Sequence, residues 1–462
     1  MKQGKFAAMD ATHSSASAPE AAGKRRIPVG YIIAAVIVAV IVLAFLGMHL
    51  YFRLQINAER DAIRKAGFPV TLRELSVYYP VPQGNNAAVV YTQAFAKYAG
   101  HNMENKLPLV SNSYNVKLPP RGEPLPEDMK TDISAYLAAN AEALEFLHKA
   151  AAIDGCRFDL DFSQGYGMPL PHLGKLRQAT QLLELQALMK VEGGKPDDAA
   201  MAIADSFGAA RALQNEPVLI SQLMRLGVIS ISVSNLERVL SRSTLGDQQL
   251  TDLSNAIASQ ENPEALIRGL AGERCTGEDL FLNNLSRYIG PVTKPGNALT
   301  LWQLSGLKAM DHLKYLQLMA ELVRTAGGSA RDILDTAEDW EKKVHQLPRL
   351  YFLTNFLVPA LTRVNEEQLK IFARLRSGRA AIAVERFRMA NGRLPGSLDE
   401  LTPKWLDTVP ADPFDDQPIR YKKLAKGFVT YSVGPDQKDH GGIELDPKHY
   451  NIPHDITFIV AR

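Results

Sequence analysis

The hydrophobic pattern opens with an unbroken apolar run, IPVGYIIAAVIVAVIVLAFLGMHLYF over 27–52, that holds no formally charged residue. At about 1.5 Å per residue a helix of this length exceeds the roughly 30 Å hydrocarbon core of a bilayer. The run predicts one transmembrane helix. A secretory signal peptide would carry an apolar stretch of about 7–15 residues ending at a small-residue cleavage site, whereas this run is longer and leaves through Met48, His49, Leu50, Tyr51 and Phe52. An uncleaved anchor is expected. Lys24, Arg25 and Arg26 abut its start while Arg53 stands alone at its exit, which by the positive-inside rule puts the N-terminus inside and the bulk of the chain outside. Residues 1–26 lack apolar periodicity and predict a flexible tail.

Beyond the anchor, 53–125 reads as stalk and linker. Helical character continues to Lys65 and stops at Gly67 and Pro69, a helix-like stretch follows at 85–98, and five prolines within 107–126 predict an extended loop. From 126 to 364 the apolar positions recur at helical spacing, as in Leu173, Leu176, Thr180, Leu183 and Ala187. An α-helical domain is implied. Within it, Gly193-Gly194-Lys195-Pro196-Asp197-Asp198 ends one helix and starts the next. With Ala199, Ala200, Ala209 and Ala210 as small packing residues, this hairpin resembles a tetratricopeptide unit. No second copy follows at the roughly 34-residue spacing of such repeats, so irregular hairpins are expected rather than an array.

The last segment, 365–462, changes period. Leu369, Phe372, Ala380, Ala383, Val384 and Phe387 predict a long helix over 366–391 that stops at Asn391-Gly392, and short β-rich stretches follow at 419–421, 428–433 and 456–460. One helix on a small antiparallel sheet lets both bury an apolar face. The fold class is therefore mainly α, with irregular helical hairpins that are tetratricopeptide-like in part, a small C-terminal α+β module and one N-terminal transmembrane helix.

Charge excludes one broad class of partner. Lys and Arg total 52 against 50 Asp and Glu, a balance that builds no field for nucleic acid. Cys156 and Cys275 form no CxxC framework and read as a disulfide or as two buried thiols. The chain has no HExxH, G-x-G-x-x-G, Walker loop or G-x-S-x-G elbow.

Three segments, ERFRMANGRLPGSLDEL (385–401), VPADPFDDQPIRY (409–421) and GFVTYSVGPDQKDHGG (427–442), together resemble the globular part of the major pseudopilin of type II secretion systems. The shared order is a helix end, a turn at Gly392 and Pro395, an Asp412-Pro413-Phe414 step, then Tyr-Ser-x-Gly and an Asp/Gly-rich loop. Pseudopilins begin with a Gly-Phe-Thr-Leu-x-Glu processing signal, where this chain has Arg26-Ile27-Pro28-Val29. The whole chain also resembles a family of uncharacterised bacterial single-pass membrane proteins with an Asn86-Ala87-Ala88 helix start, a helical middle and this ending. The first resemblance implies a pseudopilin-like module, a link to secretion, and calcium in the loop of Asp436 and Asp439. Asp455 could complete the oxygen set that calcium requires.

A second cluster, Asp154, Asp159, Asp161 and His172 around Cys156, reads either as a metal or acid–base site or as a solvated loop with His172 near a helix start. Two functions follow. The first is a membrane-anchored, extracytoplasmic interaction or scaffold protein of the bacterial inner membrane, with the lipid bilayer and an envelope protein as partners. The alternative is a membrane-anchored, metal-dependent hydrolase using Asp159, Asp161 or His172 in a helical cleft. A polar pocket with strongly perturbed carboxylates would favour the enzyme, and an apolar groove the scaffold.

Overall fold

The computed structural model describes residues 28–110, 116–283, 302, 306–361, 363–446 and 452–462. The N-terminal tail, Lys24-Arg25-Arg26 and residues 111–115 of the proline-rich loop lie outside them. Residues 1–51 and 52–462 form two units. In the first, helix α1 (Val29–Lys65) begins; none of its most apolar window is buried, and that window has a mean hydropathy of 3.0. It is long and apolar enough to cross a membrane. A second helix, Leu219–Arg242, passes the same test of length, but 61% of its window is buried. It is a core helix.

The second unit is mainly helical. After the end of α1 come α2 (Leu72–Tyr78), α3 (Ala87–Ala96), α4 (Glu127–Ala139), α5 (Ala141–Ala151), α6 (Pro171–Glu192), α7 (Pro196–Arg211) and α8 (Leu219–Arg242). Then follow α9 (Asp247–Ala258), α10 (Pro263–Leu282), α11 (Leu307–Ala326), α12 (Ala330–His345), α13 (Phe352–Leu357) and α14 (Val364–Asn391). Local chemistry sets their starts. Thr71, Asn86 and Asn262 each accept a first-turn N–H, Ser329 and Asp332 form a reciprocal capping box, and Pro opens α6, α7 and α10. Gly392, at φ +68°, ends α14 in the left-handed conformation that other residues adopt only under strain.

Three strands complete the chain in a small antiparallel sheet of order β1 (Arg420–Lys423), β2 (Phe428–Ser432), β3 (Ile456–Val460). Thr430 stands opposite Tyr421 on one side and Phe458 on the other. Every residue of β2 is buried, which accounts for its lack of polar alternation. Helix α14 packs against α8, α9, β2 and β3, and the Phe458 ring lies where a side chain at Gly378 would meet it at 3.4 Å. One hydrophobic cluster accordingly joins Leu236, Leu240 and Ile257 of the helices to Ala380 and Val384 of α14 and to Phe428, Phe458 and Val460 of the sheet. Each Leu, Ile, Val or Phe among them contributes about 1.5–3 kcal/mol by leaving water. A second cluster gathers Leu270, Phe281, Tyr315 and Met319 with Ile56 and Ile63 of α1. Cys156 and Cys275 are free, buried thiols.

Candidate functional site

The structure does not gather the cluster of Asp154, Asp159, Asp161 and His172. Asp154 and Asp159 are exposed, Asp154 lies 3.7 Å from Arg211, and Asp161 caps a short 3-10 turn by accepting from the Ser163 N–H at 3.1 Å and its hydroxyl at 2.6 Å. His172 is elsewhere. It is buried, its ring stacks on Phe158 at 4.3 Å, and its Nε2 lies 3.0 and 3.1 Å from the two oxygens of Glu216. Ser221 and Tyr79 donate hydroxyls to the same carboxylate. Glu216 is the partner that spacing alone missed, because it stands in the link between α7 and α8, distant in sequence from His172.

Asp436, Asp439 and Asp455 do share one loop region. Asp455 is 2% exposed and accepts from the N–H groups of His440 (3.2 Å), Gly442 (2.7 Å) and Ile443 (3.2 Å). Asp439 accepts from the Gly441 N–H at 2.7 Å and the Tyr431 hydroxyl at 3.1 Å, and Asp436 from the Lys438 N–H at 3.1 Å with His440 Nε2 at 2.9 Å. Burial raises the Asp455 pKa against these bonds. At Asp436 burial also pushes upward, but His440 and the Lys438 N–H outweigh it and hold the carboxyl below its usual range. These partners are N–H and O–H donors that tie the loop together. Among the described residues no group of three or more His, Cys, Asp or Glu side chains is placed to hold a metal ion.

Asp436 and Asp455 line a cleft of about 780 Å³ bounded by α8, α14 and the approach to β3. Arg374 of α14 crosses to α8, donating to Ser230 Oγ at 2.6 Å and Ser234 Oγ at 3.0 Å. Burial lowers its pKa, and Glu237 opposes that shift. Lys370 is held by Glu366 at 2.8 Å and Glu367 at 2.9 Å. Glu237 has the most consequential position: its Oε1 accepts the Ile459 N–H at 2.5 Å, and Ser241, one turn on, accepts the Ala461 N–H at 3.0 Å. Burial pushes the Glu237 carboxyl above its ordinary range, with Arg121 pulling it down.

Helix α8 thereby covers the outer edge of β3. In an antiparallel strand the outward N–H and C=O groups recur at every second residue, so Thr457 presents the same edge as Ile459, and Thr457 lines the cleft. Sequence reasoning missed Arg374, Glu237 and Thr457. The signal was present in Ser230, Ser234, Glu237 and Ser241, a polar stripe at i, i+4, i+7 and i+11 along α8. Compared with protein families, curated proteins and solved structures, the chain matches none of them.

Proposed function

We propose that this chain is a membrane-anchored binding protein of the bacterial envelope, with its N-terminus cytoplasmic and residues 52–462 outside the inner membrane. Its cleft takes an extended segment of a protein partner. The observation that carries this reading is the β3 edge, covered by Glu237 and Ser241 at Ile459 and Ala461 but turned into the cleft at Thr457. A strand edge is a template for another chain: main-chain hydrogen bonds supply affinity, and flanking side chains supply choice of partner. Arg374, Lys370, Glu237 and Glu444 provide both signs of charge along the cleft. The pseudopilin resemblance of 385–442 adds a link to secretion, and the α6–α7 pair contributes a tetratricopeptide-type hairpin to the same scaffold.

Full-length protein in micelles, panned against short random peptides, tests the cleft. Selected binders should weaken by about tenfold or more on Thr457→Pro, which removes one outward N–H without touching the bonds to β2, and on Arg374→Met. Binders indifferent to both changes would sink the reading. Protease added to intact spheroplasts should digest 52–462; protection there, with digestion in inverted vesicles, would reverse the topology.

A further inference from the structure

A second pair of cavities, about 460 and 290 Å³, lies along α14 away from β3's edge and shares three side chains: Glu261, Arg376 and Arg379. Two of the three are satisfied. Arg376 donates Nε to Glu261 at 2.8 Å, places Nη2 on the same oxygen, and gives Nη1 to the Ala411 carbonyl at 2.8 Å. Arg379, one turn further along the helix, has no hydrogen bond or ion pair among the described residues, and its Nε is buried without a partner. A buried donor with no acceptor is a costly group to keep. Its place at the junction of two cavities puts it within reach of whatever enters them.

The larger cavity has a distinct chemistry. Leu369, Phe372, Arg376 and Arg379 recur at steps of three and four along α14, and Ile333 and Pro413 close the apolar wall. Its charged lining is Glu261, Arg376 and Arg379, one negative against two positive. One anionic charge balances that set, and the one further charged side chain of the pair of cavities, Asp407, lines only the smaller one. We propose that this cavity binds a carboxylate carrying an apolar group, with the carboxylate on Arg379 and the apolar group against Leu369 and Phe372. The planar guanidinium fork matches a carboxylate in two parallel hydrogen bonds. A phosphate dianion would bring surplus negative charge beside Glu261. A free short-chain acid and the C-terminus of a peptide with an apolar last residue share this chemistry.

Calorimetric titration of the full-length protein in micelles separates these sources. The probes are butyrate, butyramide, inorganic phosphate, and an acetylated tripeptide ending in leucine as free acid and as amide. At least one carboxylate should bind while its amide does not. Arg379→Gln should weaken that binding by about tenfold or more, and Arg379→Lys, which keeps the charge but loses the fork, by less. Butyrate binding alone would identify a free acid as the ligand, and tripeptide binding alone a chain terminus; either supports the site. Equal titration by acid and amide, tighter binding of phosphate, silence from both carboxylates, or an unchanged titration of Arg379→Gln would overturn it. Should Arg379→Gln not fold, the acid–amide contrast in the unaltered protein and the Arg379→Lys titration still decide.

Discussion

Glu216 and Glu278 are two versions of one buried device with different partners. Each carboxylate is almost wholly buried, at 0% and 1% exposure, and each meets a histidine Nε2. Both histidines stack on a phenylalanine, His172 on Phe158 at 4.3 Å and His312 on Phe281 at 4.7 Å. The remaining partners differ. Glu216 turns to the hydroxyls of Ser221 and Tyr79, whereas Glu278 takes the guanidinium of Arg60, whose Nε donates at 2.7 Å from the C-terminal part of α1. At Glu278 burial pushes the pKa upward, yet His312 and Arg60 outweigh it and leave the carboxyl below its ordinary range. The comparison teaches that hydroxyls and one histidine suffice where the network closes within the helical body. A permanent cation appears where α1 must be held to α10 and α11.

The largest effects break this contrast directly. Glu278→Leu leaves Arg60 and His312 facing each other in a buried site, and removing one partner of such a pair typically costs about 3–5 kcal/mol. Glu216→Leu strands hydroxyls and one histidine, for about 1–3 kcal/mol. Denaturant midpoints at unchanged slope measure both. Equal losses, or a larger loss at Glu216, would show that Arg60 adds nothing to the lock.

Acid and base should separate the carboxylates further. The folded pKa of Glu278 is depressed, so its contribution is present above the unfolded value of about 4.5 and lost as pH falls through the lower folded value. Glu184 is the opposite case. Buried on α6 with 4% exposure and no hydrogen bond among the described residues, it is pushed up to about 8 by burial, with Arg238 opposing. Its contribution is present below the unfolded pKa and lost as pH rises through about 8. Glu184→Gln should therefore stabilise the protein above that pH, by a few kcal/mol at most, and leave acidic stability nearly unchanged. A stability profile with the same slope between about pH 4.5 and 8 in both proteins would place the titration elsewhere.

Much of the fold is readable because its signals are local. The apolar run of α1, the Gly193–Lys195 break between α6 and α7, and the end of α14 at Gly392 each rest on a few consecutive residues. The same locality shows the short strands, since their punctuation by Gly and Asp is visible in one stretch. The sites were less legible because their partners come from distant positions. His172 meets Glu216, Glu237 meets Ile459, and Arg376 meets Glu261, and no spacing rule spans such separations. Composition drew the eye to Asp159 and Asp161, which are exposed loop residues.

Asp455 supplies the smallest and sharpest test, because it shows whether a third buried carboxylate behaves like Glu216 or like Glu278. Its oxygens accept three backbone N–H groups, which puts it with Glu216. Asp455→Asn keeps the shape but turns one acceptor into a donor that faces N–H groups, for an expected loss of about 1–3 kcal/mol. Calcium is the finer probe. The pseudopilin resemblance expects the ion at Asp436, Asp439 and Asp455, whereas a carboxylate held by neutral donors needs none, and a cation there would have to displace N–H groups that already point at the oxygens. Melting curves of the full-length protein in calcium and in chelator should therefore differ by less than the Asp455→Asn shift. A larger rise in calcium, abolished by Asp436→Ala, would move Asp455 into the class of Glu278 and make the loop a cation site, because only an ion that binds the folded state more tightly than the unfolded one can raise its melting point.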